Sequence, residues 1–412
     1  MATELFIFLL LVPLSWAAVL WHWRATVCRS WQEPVLCRPV LVIESDDWGP
    51  GPDWHAERLA QIGQCLVNHR DAENRPALMT LGVVLAAADT AAMAQNGLAD
   101  YRRVTLDDAR CSRLLKQMQS GAREGFFALQ LHGMEHYWPP ILLREARHDN
   151  RLRAWLTGEQ FPPYEVLPSA LQSRWIDGSQ LPSRPLAAGE ISQAVVEETT
   201  TWRRIFDRSP SVVVPPTFVW TTEVEKAWGA SEVEVIITPG QRYTHRDAAG
   251  QPATEEGRIY NGQISPEGAR YLVRDIYFEP ERGHTVARVI EDVSLRFMLG
   301  RPALLETHRS NFIGNDGEFT KNLACLDELL VSACKRWPAL AFLSPEALAH
   351  IYVDQPREWV ASSLWVRLHV LLRRLERVSR LRKLVWLTGL FVLAACARVI
   401  TTPAARRAGV AL

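Results

Sequence analysis

Eight short apolar runs recur between residues 40 and 343, at 40–45, 78–85, 126–131, 211–215, 233–238, 271–278, 303–307 and 339–343. Most are apolar almost without interruption, the pattern of strands buried on both faces of a parallel sheet. Between them, stretches such as 56–69, 106–119 and 191–206 carry apolar residues at helical spacing. That alternation predicts an α/β fold, an irregular (β/α)7–8 barrel of the glycoside hydrolase/deacetylase type over residues 39–350. The Pro- and Trp-rich piece at 138–185 is too long for a plain connection and reads as an insertion that walls or lids a site.

Hydrophobic segments flank this body. Residues 5–23 approach the length of a membrane span, so 1–24 is expected to be an N-terminal signal-anchor or transmembrane helix. Residues 359–383 contain a basic amphipathic helix, and 384–400 a transmembrane or interfacial helix. The arginines near both segments lie mostly on the domain side, among them Arg24, Arg29, Arg373, Arg374 and Arg377. The positive-inside rule then places a membrane-anchored domain in the cytoplasm, with a periplasmic or extracytoplasmic domain as the alternative. Lys+Arg and Asp+Glu are both 46, so no net charge points to nucleic acid as a partner. Seven cysteines without a CxxC pair signal neither a zinc ribbon nor a disulfide framework, and free thiols are expected.

Chemistry in such a barrel gathers where strands end. Asp46 and Asp47 follow the first run, His132 and His136 the third, and Pro216, Phe218 and Trp220 the fourth. Arg274 and Glu279 belong to the sixth, and the seventh ends in His308, Arg309 and Asn311. Two imidazoles four residues apart, with one carboxylate, make a three-ligand site for zinc or another divalent ion. A second carboxylate beside the ligand suits a general base, and a histidine from another strand suits a proton donor.

Four motifs in order resemble the polysaccharide deacetylases of the NodB-homology kind, similar to carbohydrate esterase family 4, in a subgroup linked to surface-polysaccharide loci. They are Ser45-Asp46-Asp47-Trp48, His132-Gly133-Met134-Glu135-His136, Val214-Pro215-Pro216-Thr217-Phe218 and Leu305-Glu306-Thr307-His308. The resemblance implies Asp46 as catalytic base, His308 as acid, and Asp47, His132 and His136 as metal ligands. The metal would be Zn2+, with Co2+, Mn2+ or Fe2+ as alternatives, and the reaction removal of N-acetyl groups from amino sugars of a surface polysaccharide or its lipid-linked precursor. The family's base-orienting arginine would fall near Val214 and is absent; Arg274, Arg309 and Asp275 are the available substitutes. Trp48, Pro216, Phe218, Trp220, Arg274, Glu279, Arg309 and Asn311 are expected at the carbohydrate substrate.

Two other readings are open. A metal-independent glycoside hydrolase would draw its acid–base pair from Glu135, Glu279 and Glu306. A membrane-tethered glycan-binding or assembly protein would use some of its 16 tryptophans for sugar stacking and carry no active centre.

Overall fold

The computed structural model describes residues 2–410, with side chains from residue 11 onward. A curled parallel sheet forms its centre. In chain order the strands are β1 (Val40–Trp48), β2 (Met79–Val83), β3 (Phe127–Leu131), β4 (Val212–Val213), β5 (Val235–Thr238), β6 (Arg270–Val273), β7 (Ile276–Tyr277), β8 (Ala303–His308) and β9 (Ala341–Phe342). Their spatial order is β6-β5-β4-β3-β2-β1-β8-β7, and β9 pairs the start of β1.

One expected strand, 271–278, is two. β6 pairs β5 at one edge of the sheet, and β7 pairs β8 at the other. The chain between them crosses the gap at Arg274 and Asp275, so the ends of the curl are joined covalently and not by a ladder. The sheet is therefore an open, curled barrel.

Alternation along β1 assigns its residues to two layers. Leu41 and Ile43 pack outward in the main core with helices α1 (Trp54–Val67) and α2 (Asp316–Arg336), where Leu59, Ile62, Leu326 and Leu330 are buried. Val40 and Val42 face the interior with Val212, Val235, Ile237, Leu272 and Leu304. Helix α3 (Pro345–Asp354) joins this interior cluster through Leu348 and Tyr352. The interior is thus apolar near the strand starts. Higher up, Glu44 and Asp46 lie level with Glu306 and His308 of β8, by the register of the two strands.

The insertion at 138–185 has a small core of its own. Leu142, Leu152, Leu156, Tyr164 and Leu167 pack together with Met93 and Tyr137. Its end is tied to the barrel by the buried Arg174, which pairs with Glu135 at 2.8 Å and Glu198 at 3.3 Å.

The terminal segments pack beneath the strand starts. The N-terminal anchor expected at 1–24 corresponds to α4 (Ala2–His22), which runs into α5 (Arg24–Gln32); Met1 and the side chains before Leu11 lie outside the described residues. Residues 359–383 divide between α6 (Leu364–Glu376) and the first half of α7 (Ser379–Leu387), and α8 (Leu390–Arg407) follows. Among the described residues no single helix is long and apolar enough to cross a membrane; α7 and α8 pass that test only as a pair bent by 107°. Helix α6 is anchored by Arg374, which is 3% exposed and donates to the carbonyls of Ser30, Glu33, Pro34 and Leu299 at 2.9–3.0 Å. Burial pulls its guanidinium down to about 10, partly offset by the Glu33 carboxylate.

Arg374→Ala strands those carbonyls and removes a partner of the buried Glu33, which keeps Arg301 at 2.7 Å. Urea titration is expected to show a loss of about 3 kcal/mol, with unchanged activity per folded molecule.

Candidate metal and hydrolytic site

Adjacent residues of a regular strand point to opposite faces, yet Asp46 and Asp47 both line one cavity of about 310 Å³ at the strand ends. Two local features reconcile these facts. The pairing of β1 with β2 shifts register between Ser45 and Trp48, so β1 carries one extra residue there. Such a bulge re-aims side chains at a sheet's rim. Asp47 also adopts φ 74°, in the left-handed region, where aspartate is better tolerated than most residues. The strain, on the order of 1–3 kcal/mol, turns the second carboxylate into the mouth beside the first.

Asp47 meets both histidines there. Its Oδ1 lies 3.2 Å from His132 Nε2 and 3.7 Å from His136 Nε2. His132 Nδ1 donates to the Val214 carbonyl at 2.8 Å, which fixes the proton on that nitrogen and leaves Nε2 with a free lone pair. His136 is stacked on Tyr164, with centroids 4.5 Å apart and planes within 6°. Burial holds its imidazole down at about 4, hence neutral. Asp47 Oδ1 and His136 Nδ1 are buried without a hydrogen-bond partner. An orphaned carboxylate oxygen facing two imidazole nitrogens fits a divalent cation, because unpaired buried polar atoms are otherwise costly. A second cluster, Cys65, His69 and Asp327, is different in kind. Its Asp327 is half exposed, and its donors satisfy one another through a 2.7 Å His69–Asp327 contact.

The loop between the histidines needs its glycine. Gly133 has φ 92°, and a Cβ there would press on the Glu135 carbonyl, Arg174 and Pro216 at 3.2–3.3 Å. A side chain at position 133 is therefore strained by backbone conformation and by its neighbours. Gly82 of β2 is likewise required, since a Cβ would collide with Asp46 Oδ1.

Arg274, in the gap between β6 and β7, projects into the barrel. Its Nη2 donates to Asp46 Oδ2 at 2.5 Å and its Nη1 to Asp46 Oδ1 at 3.2 Å. It also reaches Glu44 at 3.3 Å and Glu306 at 3.2 Å. One cation thus serves three buried carboxylates. Burial alone would raise Asp46, but Arg274 and then His132 outweigh it and hold the carboxyl below its ordinary value. Glu44, deeper and sharing the same arginine, is driven up to about 7 by burial.

His308 has its own carboxylate. Its Nδ1 donates to Glu279 Oε1 at 2.5 Å, and its Nε2 is 3.8 Å from Glu306. Burial would lower this imidazole, but the Glu279 hydrogen bond and the charges of Asp47 and Glu306 raise it to about 10.

The expected substrate contacts divide. Phe218 and Arg274 line the cavity, and Arg309 borders an adjoining cleft with Asp47, His136 and Tyr164. Trp48 and Trp220 do not: both have 0% exposure and belong to the hydrophobic core, where Trp48 Nε1 donates to Ser45 Oγ. Pro216 is buried behind the cavity wall, which Pro215 and Thr217 form. Glu279 and Asn311 are each 1% exposed and turned inward; Asn311 donates to Glu279 and Thr307. Residues not singled out from sequence complete the lining: Tyr164, Glu165 and Gln172 from the insertion, with Arg282 and Ser310. The Pro- and Trp-rich composition marked that segment, but nothing in it distinguishes Tyr164 from its neighbours.

Arg274→Lys keeps a charge near Asp46 but gives up the two-pronged grip. If Asp46 acts as a general base, as the deacetylase resemblance implies, turnover in an acetate-release assay falls by about 10²-fold or more, with any bound metal unchanged by elemental analysis.

No family model matches the chain, and no curated protein matches it. Among solved structures the chain is similar to polysaccharide deacetylases and esterases of carbohydrate esterase family 4. One is the family 4 carbohydrate esterase from Streptomyces lividans in complex with acetate, at 9% identity and TM-score 0.34, covering 74% of this chain and 92% of that one. Peptidoglycan deacetylase PdaC from Bacillus subtilis gives 11% identity and TM-score 0.37, covering 79% and 94%. The family 4 acetyl xylan esterase from Clostridium thermocellum, in complex with a cobalt ion, gives 9% and 0.35, covering 77% and 91%.

Proposed function

We propose that the protein is a divalent-metal-dependent hydrolase that removes N-acetyl groups from amino sugars of a surface polysaccharide or its precursor. The observation that carries this reading is the convergence of three separately anchored groups on one cavity. They are an orphan-bearing Asp47–His132–His136 cluster, an arginine-clamped Asp46 and a carboxylate-held His308. The donor set suits Zn2+ or Co2+. The motifs that resemble the deacetylase family supply the substrate class.

A bound divalent cation supplies electrophilic polarisation of the acetyl carbonyl and a more acidic water. Asp47, His132 and His136 would hold it. Asp46, ionised and fixed by Arg274, takes the proton of the attacking water. His308, charged at neutral pH, gives a proton from Nε2 to the departing sugar amine, while Glu279 on Nδ1 sets ring orientation and stabilises the imidazolium. The wall formed by Tyr164, Gln172 and Phe218 narrows access for bulk water.

The glycoside hydrolase reading is less well served. Glu135 is 0% exposed and paired with Arg103 and Arg174, and Glu279 is committed to His308. Only Glu306 of those three lines the cavity. The terminal apolar helices support membrane attachment, and the positive-inside pattern supports a cytoplasmic domain.

Purified protein is expected to release acetate from N-acetylated glycan, to lose that activity with chelator and to regain it with zinc or cobalt. Asp46→Asn is expected to reduce turnover by about 10²–10⁴-fold with metal retained; unchanged turnover overturns the role of Asp46. Glu279→Gln keeps an acceptor for His308 Nδ1 but removes the carboxylate charge that helps raise His308, so the alkaline limb of kcat/KM is expected to move to lower pH. The linked stability has the matching sign: His308 is raised from 6.5 to about 10, so its contribution is complete below 6.5 and fades as pH climbs towards 10.

A further inference from the structure

The terminal helices present a surface that the barrel does not use. Trp386, Leu387, Val392, Leu393, Val399 and Ile400 are 51–83% exposed on α7 and α8. Leu14 and Trp21 of α4 add exposures of 61% and 68%. The two ends form one module, because Trp16 Nε1 donates to the Thr388 carbonyl at the bend between α7 and α8 at 2.8 Å. Apolar exposure on this scale marks a docking surface. Exposed basic residues adjoin it: Arg377, Arg380, Arg382 and Lys383. Apolar side chains, an exposed tryptophan and clustered cations together are complementary to an anionic lipid leaflet.

The module has a fixed place relative to the cavity. Helix α6 packs on Val35 and Cys37, which precede β1, and Arg374 holds the Leu299 carbonyl, just before β8. Both contacts are at the strand starts. Asp46, Asp47, His132 and His308 are at the strand ends. At about 3.3 Å per residue, the run from Val40 to Asp47 puts up to roughly 23 Å of strand between the two levels.

We propose that the terminal helices seat the barrel on an anionic leaflet, and that the hydrolytic cavity opens away from that leaflet. Resting on the deacetylase reading, this assigns the substrate as sugars well out along an extended glycan, and not the units next to a lipid anchor. A segment too short to span the gap has an effective concentration near zero at the cavity.

The test uses the full chain with Cys28, Cys325, Cys334 and Cys396 replaced by serine. A fluorophore is attached at Leu387→Cys or at Glu165→Cys, and vesicles containing phosphatidylglycerol carry nitroxide-labelled headgroups. Quenching is expected at position 387 and not at 165. Quenching at both, or at neither, overturns the orientation whatever the activity. The triple change Arg380→Glu, Arg382→Glu, Lys383→Glu is expected to weaken vesicle binding about a hundredfold. Undiminished binding, or self-association in solution in place of vesicle binding, overturns the anionic leaflet as occupant.

Acetate release is then compared for two glycolipids embedded in vesicles, one carrying a few N-acetylhexosamine units and one a long chain. The long chain is expected to react at least about tenfold faster, with the gap closing in detergent micelles. Equal rates in vesicles overturn the substrate assignment. No release from either lipid, in detergent as well, overturns the hydrolase reading, and the quenching result still judges the docking.

Discussion

One guanidinium holds the interior of this barrel together. Arg274 is the counter-charge for Glu44, Asp46 and Glu306, all buried and all on the same face of two neighbouring strands. Burying three carboxylates against one cation cannot leave all of them charged at little cost. The arrangement settles this by depth: Asp46, gripped through both oxygens, stays low, while Glu44 is driven up to about 7. A carboxylate at the rim is therefore kept ionised by a charge that also holds the layer beneath it. The same residue marks the break between β6 and β7, so the seam of the curled sheet and the orientation of Asp46 are one feature.

The answer to the paired aspartates follows from a similar economy of backbone. In an unbroken strand Asp47 would point away from Asp46. The bulge against β2 and the left-handed conformation at Asp47 bring both to one mouth, so two consecutive carboxylates line one cavity. On the neighbouring strand, the register of Asp46 with His308 places the carboxylate and the imidazole side by side. Gly82 and Gly133 are the clearances these placements require. The histidines then need only be aimed, one by a backbone carbonyl and the other by the Tyr164 ring.

Much of this was readable before folding was considered. The apolar runs located the strands because burial on both faces demands uninterrupted apolar character, and Asp46, Asp47, His132, His136 and His308 were found at their ends by position. Other expectations failed for an identifiable reason. Trp48 and Trp220 were placed at the substrate because they follow strands, but nearness along the chain does not fix which face a side chain takes. Glu279 and Asn311 follow strands too, yet both are buried, with Glu279 accepting from His308 and from Asn311.

The sequence by itself determined the alternation of strand and helix, the order of the polar groups at strand ends and the amphipathic, basic character of the C-terminal helices. These properties are carried by local patterns. Tertiary structure alone decided that 271–278 splits to opposite edges, that Arg274 clamps Asp46, that Tyr164 stacks on His136, and that the apolar helices lie at the end opposite the cavity. Each depends on contacts between residues tens to hundreds of positions apart, where pairing register and the direction of curl govern who meets whom, and no local pattern encodes either.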